Sequence, residues 1–253
     1  MAVTNPLRRS KLRFVVYFLA VVSACGWLYS YLYIRSAEEI FGGVDKADAL
    51  REGLRVASAE QLKSLEKKGA SADTLYEKRL NVALLYQEHK DYKLGRKILL
   101  KEKEDLLKLP ESEETMTRLI KVEEMIAHID MDEGLFVDAR ERVARSIGLA
   151  DELVDRYQSQ NGQLLHLSMV NETGIIAYLE ANTAPDMKVR KESFARSRGI
   201  FEELIARIDS MQHDGSKWTA ACQATLSDIK NHAMANLNQV KEDQKYESMF
   251  QQT

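Results

Sequence analysis

The stretch VALLYQEHKDYKLG, residues 82–95, decides how this chain folds. Ala83 and Tyr86 fall on one face of a predicted helix, because they stand three positions apart. A polar turn follows, and a second helix is predicted to begin near Tyr92 with Gly95 in its first turn. Small residues let two helices approach closely, and an aromatic side chain fills the space one turn away. The stretch therefore predicts a pair of antiparallel helices.

The same pattern recurs further along the chain. Phe136 stands 44 positions after Tyr92, and Ala139 stands 44 positions after Gly95. A looser third copy spans residues 173–201. Repetition at a fixed period is typical of stacked helical hairpins, in which each unit buries its apolar face against the next.

This pattern resembles the tetratricopeptide repeat family, in which a small residue and an aromatic of the first helix pack against a small residue of the second. The resemblance implies an all-α, tetratricopeptide-like superhelix of stacked antiparallel hairpins. Three features depart from the family. The period exceeds the family's roughly 34 residues, Arg79 stands where an aromatic is usual, and the closing proline is missing from the second copy. A generic helical bundle is the alternative.

The remainder of the domain is also predicted to be helical, because its apolar residues recur at three and four positions. Alternating β-branched runs are absent. Breaks are predicted at glycines and prolines, including Asn161-Gly162, with a hinge at Gly42-Gly43. The predicted helices cover residues 45–68, 72–89, 91–108, 112–131, 135–159, 163–182, 187–211 and 216–246.

A second feature precedes the domain. From Phe14 to Ile34 the chain carries no charged residue, and four cations but no acid come before it. About 20 such residues as a helix cross a bilayer. The positive-inside rule then places the N-terminus in the cytoplasm and the rest beyond the membrane. The predicted organisation is a basic cytoplasmic tail, a transmembrane anchor, a linker and a helical domain, at residues 1–13, 14–34, 35–44 and 45–253.

Three interpretations of the apolar segment remain open. It is an uncleaved signal anchor, a cleaved signal peptide, or a lipoprotein signal in which Cys25 becomes acylated. The aromatic residues Trp27, Tyr29, Tyr31 and Tyr33 favour the anchor, because such residues gather at membrane interfaces. All three interpretations export the domain.

Composition narrows the class of partner. Without the four N-terminal cations, residues 14–253 carry 32 basic and 39 acidic side chains, a net charge of −7. This charge argues against nucleic acid or an anionic membrane surface as the main partner. The two cysteines, Cys25 and Cys222, allow no disulfide within the soluble domain, which fits a bacterial periplasm.

No catalytic constellation emerges from the sequence. It contains no His-Glu-x-x-His, Cys-x-x-Cys or glycine-rich phosphate loop. His128 is followed by Asp130 and Asp132, but only one aspartate shares its helical face, which favours a solvated helix end over a metal site. The Glu123-Glu124 pair is expected on a solvated face. We therefore predict no catalytic residue, cofactor or metal ligand.

A binding surface follows from the repeat register. In stacked hairpins the first helices, here called A helices, line one wall. Such a mixed apolar and acidic groove suits a peptide or a partner helix. The predicted partner-binding residues are Leu80, Leu84, Gln87 and Glu88 from the first copy, Lys121, Glu124, His128, Met131 and Asp132 from the second, and Asn171, Ile175 and Tyr178 from the third.

Together these features predict a membrane-tethered, non-enzymatic interaction scaffold or chaperone-like adaptor on the periplasmic side of the inner membrane, with protein partners of the cell envelope. The alternative is a dedicated subunit of one membrane complex, such as a secretion, motility or respiratory assembly. In that case the small residues Ala20, Ser23, Ala24 and Gly26 would pack against other transmembrane helices. An enzyme is the least favoured class.

Overall fold

The computed structural model describes residues 44–213 and 218–250, which form α-helices and no β-strand. The all-α prediction is confirmed for these residues, and the predicted helix ends differ from the observed ones by at most four positions. The helices are α1 Val44–Lys67, α2 Ala72–Glu88, α3 Tyr92–Leu106, α4 Glu113–Asp132, α5 Phe136–Tyr157, α6 Gln160–Thr183, α7 Met187–His213 and α8 Ala220–Phe250.

The predicted membrane anchor, Phe14–Ile34, and the predicted hinge, Gly42-Gly43, lie outside the described residues. None of the helices in the described part of the chain carries an apolar stretch long enough to cross a bilayer. The chain divides into two units, residues 1–61 and 62–253. The described part of the first unit is the N-terminal portion of α1, where Leu54 is exposed.

Two hairpins of the second unit turn in the same way. At the end of α2, Lys90 adopts a left-handed conformation with φ 59°, and the Asp91 amide donates to the Tyr86 carbonyl at 2.8 Å. At the end of α4, 44 positions later, Gly134 has φ 76°, and the Leu135 amide donates to the Asp130 carbonyl at 2.7 Å. Both are the Schellman ending, which satisfies the last carbonyls of a helix and reverses the chain. The 44-residue period is therefore present in the backbone.

Small residues hold the paired helices close, as the sequence predicts. Ala83 and Ala139 are fully buried. A Cβ added to Gly95 would lie 3.2 Å from the Ala83 carbonyl oxygen and 3.2 Å from Ile129 Cδ1. In the third hairpin, a Cβ added to Gly174 would lie 2.5 Å from the ring of Phe201. The third copy thus keeps the small-to-aromatic contact although its turn differs.

One predicted break is wrong. Gly162 lies within the first turn of α6 rather than between helices. The break falls at Gln158, which is left-handed with φ 52°, and Ser159, whose hydroxyl caps α6 by accepting from the Gly162 amide at 3.0 Å. A Cβ at Gly162 would lie 2.8 Å from Leu153 Cβ. This glycine therefore allows α5 and α6 to pack closely.

The core of the second unit is a run of apolar clusters between successive helices. The first joins α2 and α3 to α4, the second joins α4 and α5 to α6, and the third joins α6 and α7 to α8. Ile175 packs against both the second and the third cluster. The largest fully buried side chains include Leu99, Ile126, Leu167, Phe194 and Phe201.

Buried charges lie between the helices as well. Arg79, only 4% exposed, contacts Glu102 at 2.6 Å, Asp105 at 2.8 Å and Glu66 at 3.0 Å. Burial opposes the charged form of Arg79, but the hydrogen bonds that Arg79 donates to these three carboxylates outweigh it and raise the pKa of Arg79. Arg79 therefore contributes buried ion pairs to the contact between neighbouring helices.

The equivalent position of the second copy carries the opposite charge. Glu123 stands 44 residues after Arg79, is 3% exposed, and contacts Lys103 at 2.5 Å, Arg142 at 3.1 Å and Arg145 at 3.7 Å. The expectation of a solvated face at Glu123-Glu124 is wrong, because both carboxylates turn toward neighbouring helices. Burial raises the pKa of Glu123, but hydrogen bonds from Lys103 and Arg142 hold it below its usual value.

We expect Gly174→Ala to destabilise the protein. The added methyl group meets a fully buried ring, and overpacking of this kind costs about 1–3 kcal/mol, partly offset by the better helix propensity of alanine. The matched control is Gly199→Ala in α7, where nothing lies within 4 Å of the added Cβ. It should raise the free energy of unfolding by about 0.5–1 kcal/mol. Urea unfolding followed by circular dichroism measures both, and equal effects would contradict the close contact.

We expect Glu123→Gln to destabilise the chain in a pH-dependent manner. Removing one partner of a fully buried ion pair costs about 3–5 kcal/mol. Because the partner cations are partly exposed, a loss of about 2–3 kcal/mol is expected at pH 7. Since the pKa of Glu123 is lowered by folding, its stabilisation is present above the unfolded pKa of about 4.3 and is lost as the pH falls through the folded value.

The difference between the wild type and Glu123→Gln should therefore shrink toward zero in strong acid, where Glu123 itself is neutral. Urea unfolding at pH 7 and at successive lower pH values measures this convergence. Glu202→Gln is the control, because Glu202 is an exposed carboxylate paired with Arg198. It should leave stability unchanged. A constant difference across the pH range would show that Glu123 is not ionised in the folded protein.

Candidate functional site

The A-helix face is the side of α2 and α4 where the sequence predicts a partner-binding groove. Exposure varies among its predicted members. Leu84, Glu88, Lys121 and Asp132 are exposed, Leu80, Gln87 and His128 are half-buried, and Glu124 and Met131 are buried.

The structure brings two of these residues into direct contact. Gln87 Nε2 of α2 donates to Asp132 Oδ2 of α4 at 2.7 Å. Both side chains stand at the C-terminal ends of their helices. The A helices of the first two copies therefore run side by side, and Leu84 lies one turn before this contact with 46% of its surface exposed.

Met131 does not belong to the exposed face. Only 8% of its surface is accessible, and it lies in one apolar cluster with Ile120, Ala127 and Ala139. Met131 is buried because it follows Ala127 by four positions and so lies on the same face of α4, which packs into the core. The prediction of an exposed methionine contact is wrong.

The third copy is covered by α8. Asn236 Nδ2 donates to Asn171 Oδ1 at 3.4 Å, and the Tyr178 hydroxyl donates to Asp243 Oδ2 at 2.6 Å. Burial and this carboxylate raise the pKa of Tyr178. Ile175 packs against the third apolar cluster, which includes residues of α8. The predicted members from α6 thus contact the last helix instead of an open groove.

A cluster of three titratable side chains lies where α4 and α6 meet. His128 Nε2 is 3.0 Å from Glu172 Oε2, and Glu124 is one helical turn before His128 on α4. Ligand atoms of the three residues all lie within 4.8 Å of one another. Glu124 and Glu172 are 9% and 8% exposed. We call this group the α4–α6 triad.

Electrostatics within the triad favour a cation. Burial lowers the pKa of His128, but the carboxylates of Glu172 and Glu124 outweigh it and raise the pKa above its ordinary value. Glu124 also accepts from Lys121 Nζ at 2.7 Å. Lys121 and His128, both predicted residues of the binding face, therefore contact the carboxylates of Glu124 and Glu172.

The predicted A-helix face includes Glu124 and His128 of the triad but not Glu172. The signal was present, because Glu172 stands 44 positions after His128, which is the spacing between repeats. The sequence pattern instead groups His128 with Asp130 and Asp132, which it predicts to form a solvated helix end. Asp130 is in fact 1% exposed and is held by Arg96 and Arg142, each at 2.6 Å.

Two clefts elsewhere in the second unit are lined by ion-paired side chains together with apolar ones. One cleft, of about 300 Å³, lies between α3 and α5, and the ion-paired side chains of Lys103, Glu123 and Arg145 form part of its wall. Another, of about 240 Å³, lies beside Arg79 and its carboxylates. His166 forms a simpler contact with Asp151 at 2.7 Å and Arg207 at 3.0 Å.

Comparison with known proteins identifies no family. No family model matches the chain, and no curated protein matches it. Among solved structures, the chain is similar to a de novo designed helical repeat protein, with 15% sequence identity and a TM-score of 0.34. The likeness covers 78% of this chain and 97% of the designed one. The description as helical hairpins rests on this chain's own helices, turns and contacts.

Proposed function

We propose that this protein is a non-enzymatic interaction scaffold that binds a protein partner through the A-helix face. The observation that carries the proposal is the exposed Leu84, one turn before the C-terminal end of α2. Its neighbours Val82 and Ala83 are fully buried, so the core of this helix is complete without it. An apolar residue that the core does not require is available to a partner.

The surroundings of Leu84 suit a bound helix or peptide. Leu80 lies one turn earlier on the same side and is half-buried. Acidic side chains flank the pair, at Glu88 on α2 and Asp132 on α4. An apolar centre with a charged rim is the usual composition of a protein interface, and helices dock into such grooves through residues one turn apart. The acidic rim selects a partner with basic residues.

The proposed location comes from the sequence. The uncharged segment Phe14–Ile34 and the four cations before it support a tether to the inner membrane with the domain on the periplasmic side. We place the hairpins in the tetratricopeptide-like class because their turns and small residues follow that pattern, although their period of 44 residues exceeds the family's roughly 34. The partner is then a protein of the cell envelope. It is either a client that an adaptor binds or another subunit of one membrane complex.

We expect Leu84→Glu to abolish partner capture while leaving helicity intact. Loss of a central apolar contact costs about 2 kcal/mol or more in binding, and a buried charge adds to this cost. The matched control is Leu100→Glu on α3, since Leu100 is 38% exposed against 46% for Leu84 and belongs to a second helix of a hairpin. The control should retain the wild-type set of partners.

Mild-detergent pull-downs of the full-length protein, quantified by mass spectrometry, compare the two variants. A partner in constant ratio indicates a dedicated subunit, whereas many weakly bound proteins indicate an adaptor. If Leu84→Glu stays folded and keeps every partner that the wild type captures, the A-helix face is not the interface.

We expect a reporter that is active only outside the cytoplasm to be active when fused after Thr253. The physical reason is the charge bias across Phe14–Ile34, because four cations on one side retain that side in the cytoplasm. Replacing Arg8, Arg9, Lys11 and Arg13 with glutamine should reduce the reporter signal. Activity of a cytoplasm-only reporter at Thr253 would contradict the proposed location.

A further inference from the structure

The geometry of the α4–α6 triad points to a binding site for one divalent transition-metal ion of the zinc class, held by Glu124, His128 and Glu172. The inference goes beyond the proposed interaction function. Glu124 and His128 belong to the predicted A-helix face, but the argument rests on the meeting of α4 and α6 and not on the exposed Leu84.

The residue types match the ion. Zinc and its neighbours in the first transition row bind imidazole nitrogen and carboxylate oxygen, often with three protein ligands and one water. His128 Nε2 and two glutamate carboxylates supply one nitrogen and two oxygens. Glu124 and His128 are four apart on one helix, so they project from the same face one turn apart. Glu172 completes the set from the adjacent helix.

The distances require only small side-chain movements. Ligand atoms around a tetrahedral zinc ion with bonds of about 2.0–2.1 Å are roughly 3.4 Å apart. In the triad, one pair is 3.0 Å apart and all three atoms fall within 4.8 Å. An ion at their centre would therefore draw the carboxylates inward without moving the helices.

Charge supplies an independent reason for a cation. Two carboxylates whose side chains are each 11% exposed lie close together here, and charges of like sign are costly in such a setting. Lys121 already places an ammonium nitrogen 2.7 Å from Glu124 Oε2, which shows that this position accepts a cation. Lys121 is 50% exposed at its side chain, so it can move away into solvent. A metal ion would then displace the lysine and balance both carboxylates.

The test is titration of the full-length, tag-free protein with Zn²⁺ in an isothermal calorimeter. We expect one saturable site per chain and a higher melting temperature with Zn²⁺, because an ion bound only to the folded state stabilises it. His128→Gln and Glu172→Gln should each weaken binding by about tenfold or more. Lys121→Gln should tighten binding, since it removes the competing ammonium.

The matched control is His166→Gln. His166 is also a histidine that contacts a carboxylate, but its neighbours are Asp151 and the guanidinium of Arg207, which repels a cation. This variant should bind Zn²⁺ like the wild type. Absence of a saturable site, or equal losses for His128→Gln and His166→Gln, would overturn the inference, because the second result indicates scattered surface binding only.

X-ray absorption on the wild type keeps the inference testable if a variant fails to fold. The zinc edge should show a shell of nitrogen and oxygen with one imidazole and no sulfur. A sulfur ligand would assign the ion to a cysteine, and two or more imidazoles would assign it to other histidines. Either spectrum would overturn the triad as the site.

Discussion

In residues 62–213 and 218–250, the structure depends on how closely the two helices of each hairpin approach one another. A Cβ added to Gly95 in the first hairpin would lie 3.2 Å from the Ala83 carbonyl oxygen, and Ala139 in the second hairpin is fully buried. The approach is set by the turns, where Lys90 and Gly134 adopt the same left-handed conformation 44 residues apart. Lysine bears the strain of this conformation in the first turn, whereas glycine bears none in the second.

Close packing has an electrostatic consequence. Helices that approach so closely leave little water between them, and the polar residues at their contacts must find partners within the protein. Arg79 and Glu123 occupy equivalent positions and carry opposite charges, each surrounded by three side chains of the other sign. Most of these pairs join the two helices of one hairpin, whereas Lys103–Glu123 joins the first hairpin to the second. Removing one partner of such a buried pair costs more than the pair itself adds to stability, because the other charge is left unpaired.

Much of this architecture could be predicted from the sequence, and most of the failures share one cause. Helices, turns and close contacts follow from local patterns, so the period of 44 residues is visible at Tyr92 and Phe136. The errors at Met131 and Glu123 concern which side of a helix meets a neighbour, whereas the error at Gly162 concerns where α6 begins. Successive residues of a helix are rotated by about 100°, so a shift of one position places a side chain on a different face. Which face meets a neighbour is determined only by how the helices pack against one another. Glu172 was missed for the same reason, because its partner lies on another helix.

The meeting of successive A helices changes character along the chain, and this change links the fold to its proposed roles. Between α2 and α4 the contact is a hydrogen bond from Gln87 to Asp132 beside an exposed leucine. Between α4 and α6 it is the acidic triad around His128. Between α6 and α8 it is closed by the Tyr178–Asp243 contact and an apolar cluster. A period of 44 residues therefore brings different side chains to equivalent places. We propose a macromolecular partner for the first place and infer an ion at the second, while at the third place residues of α6 contact α8.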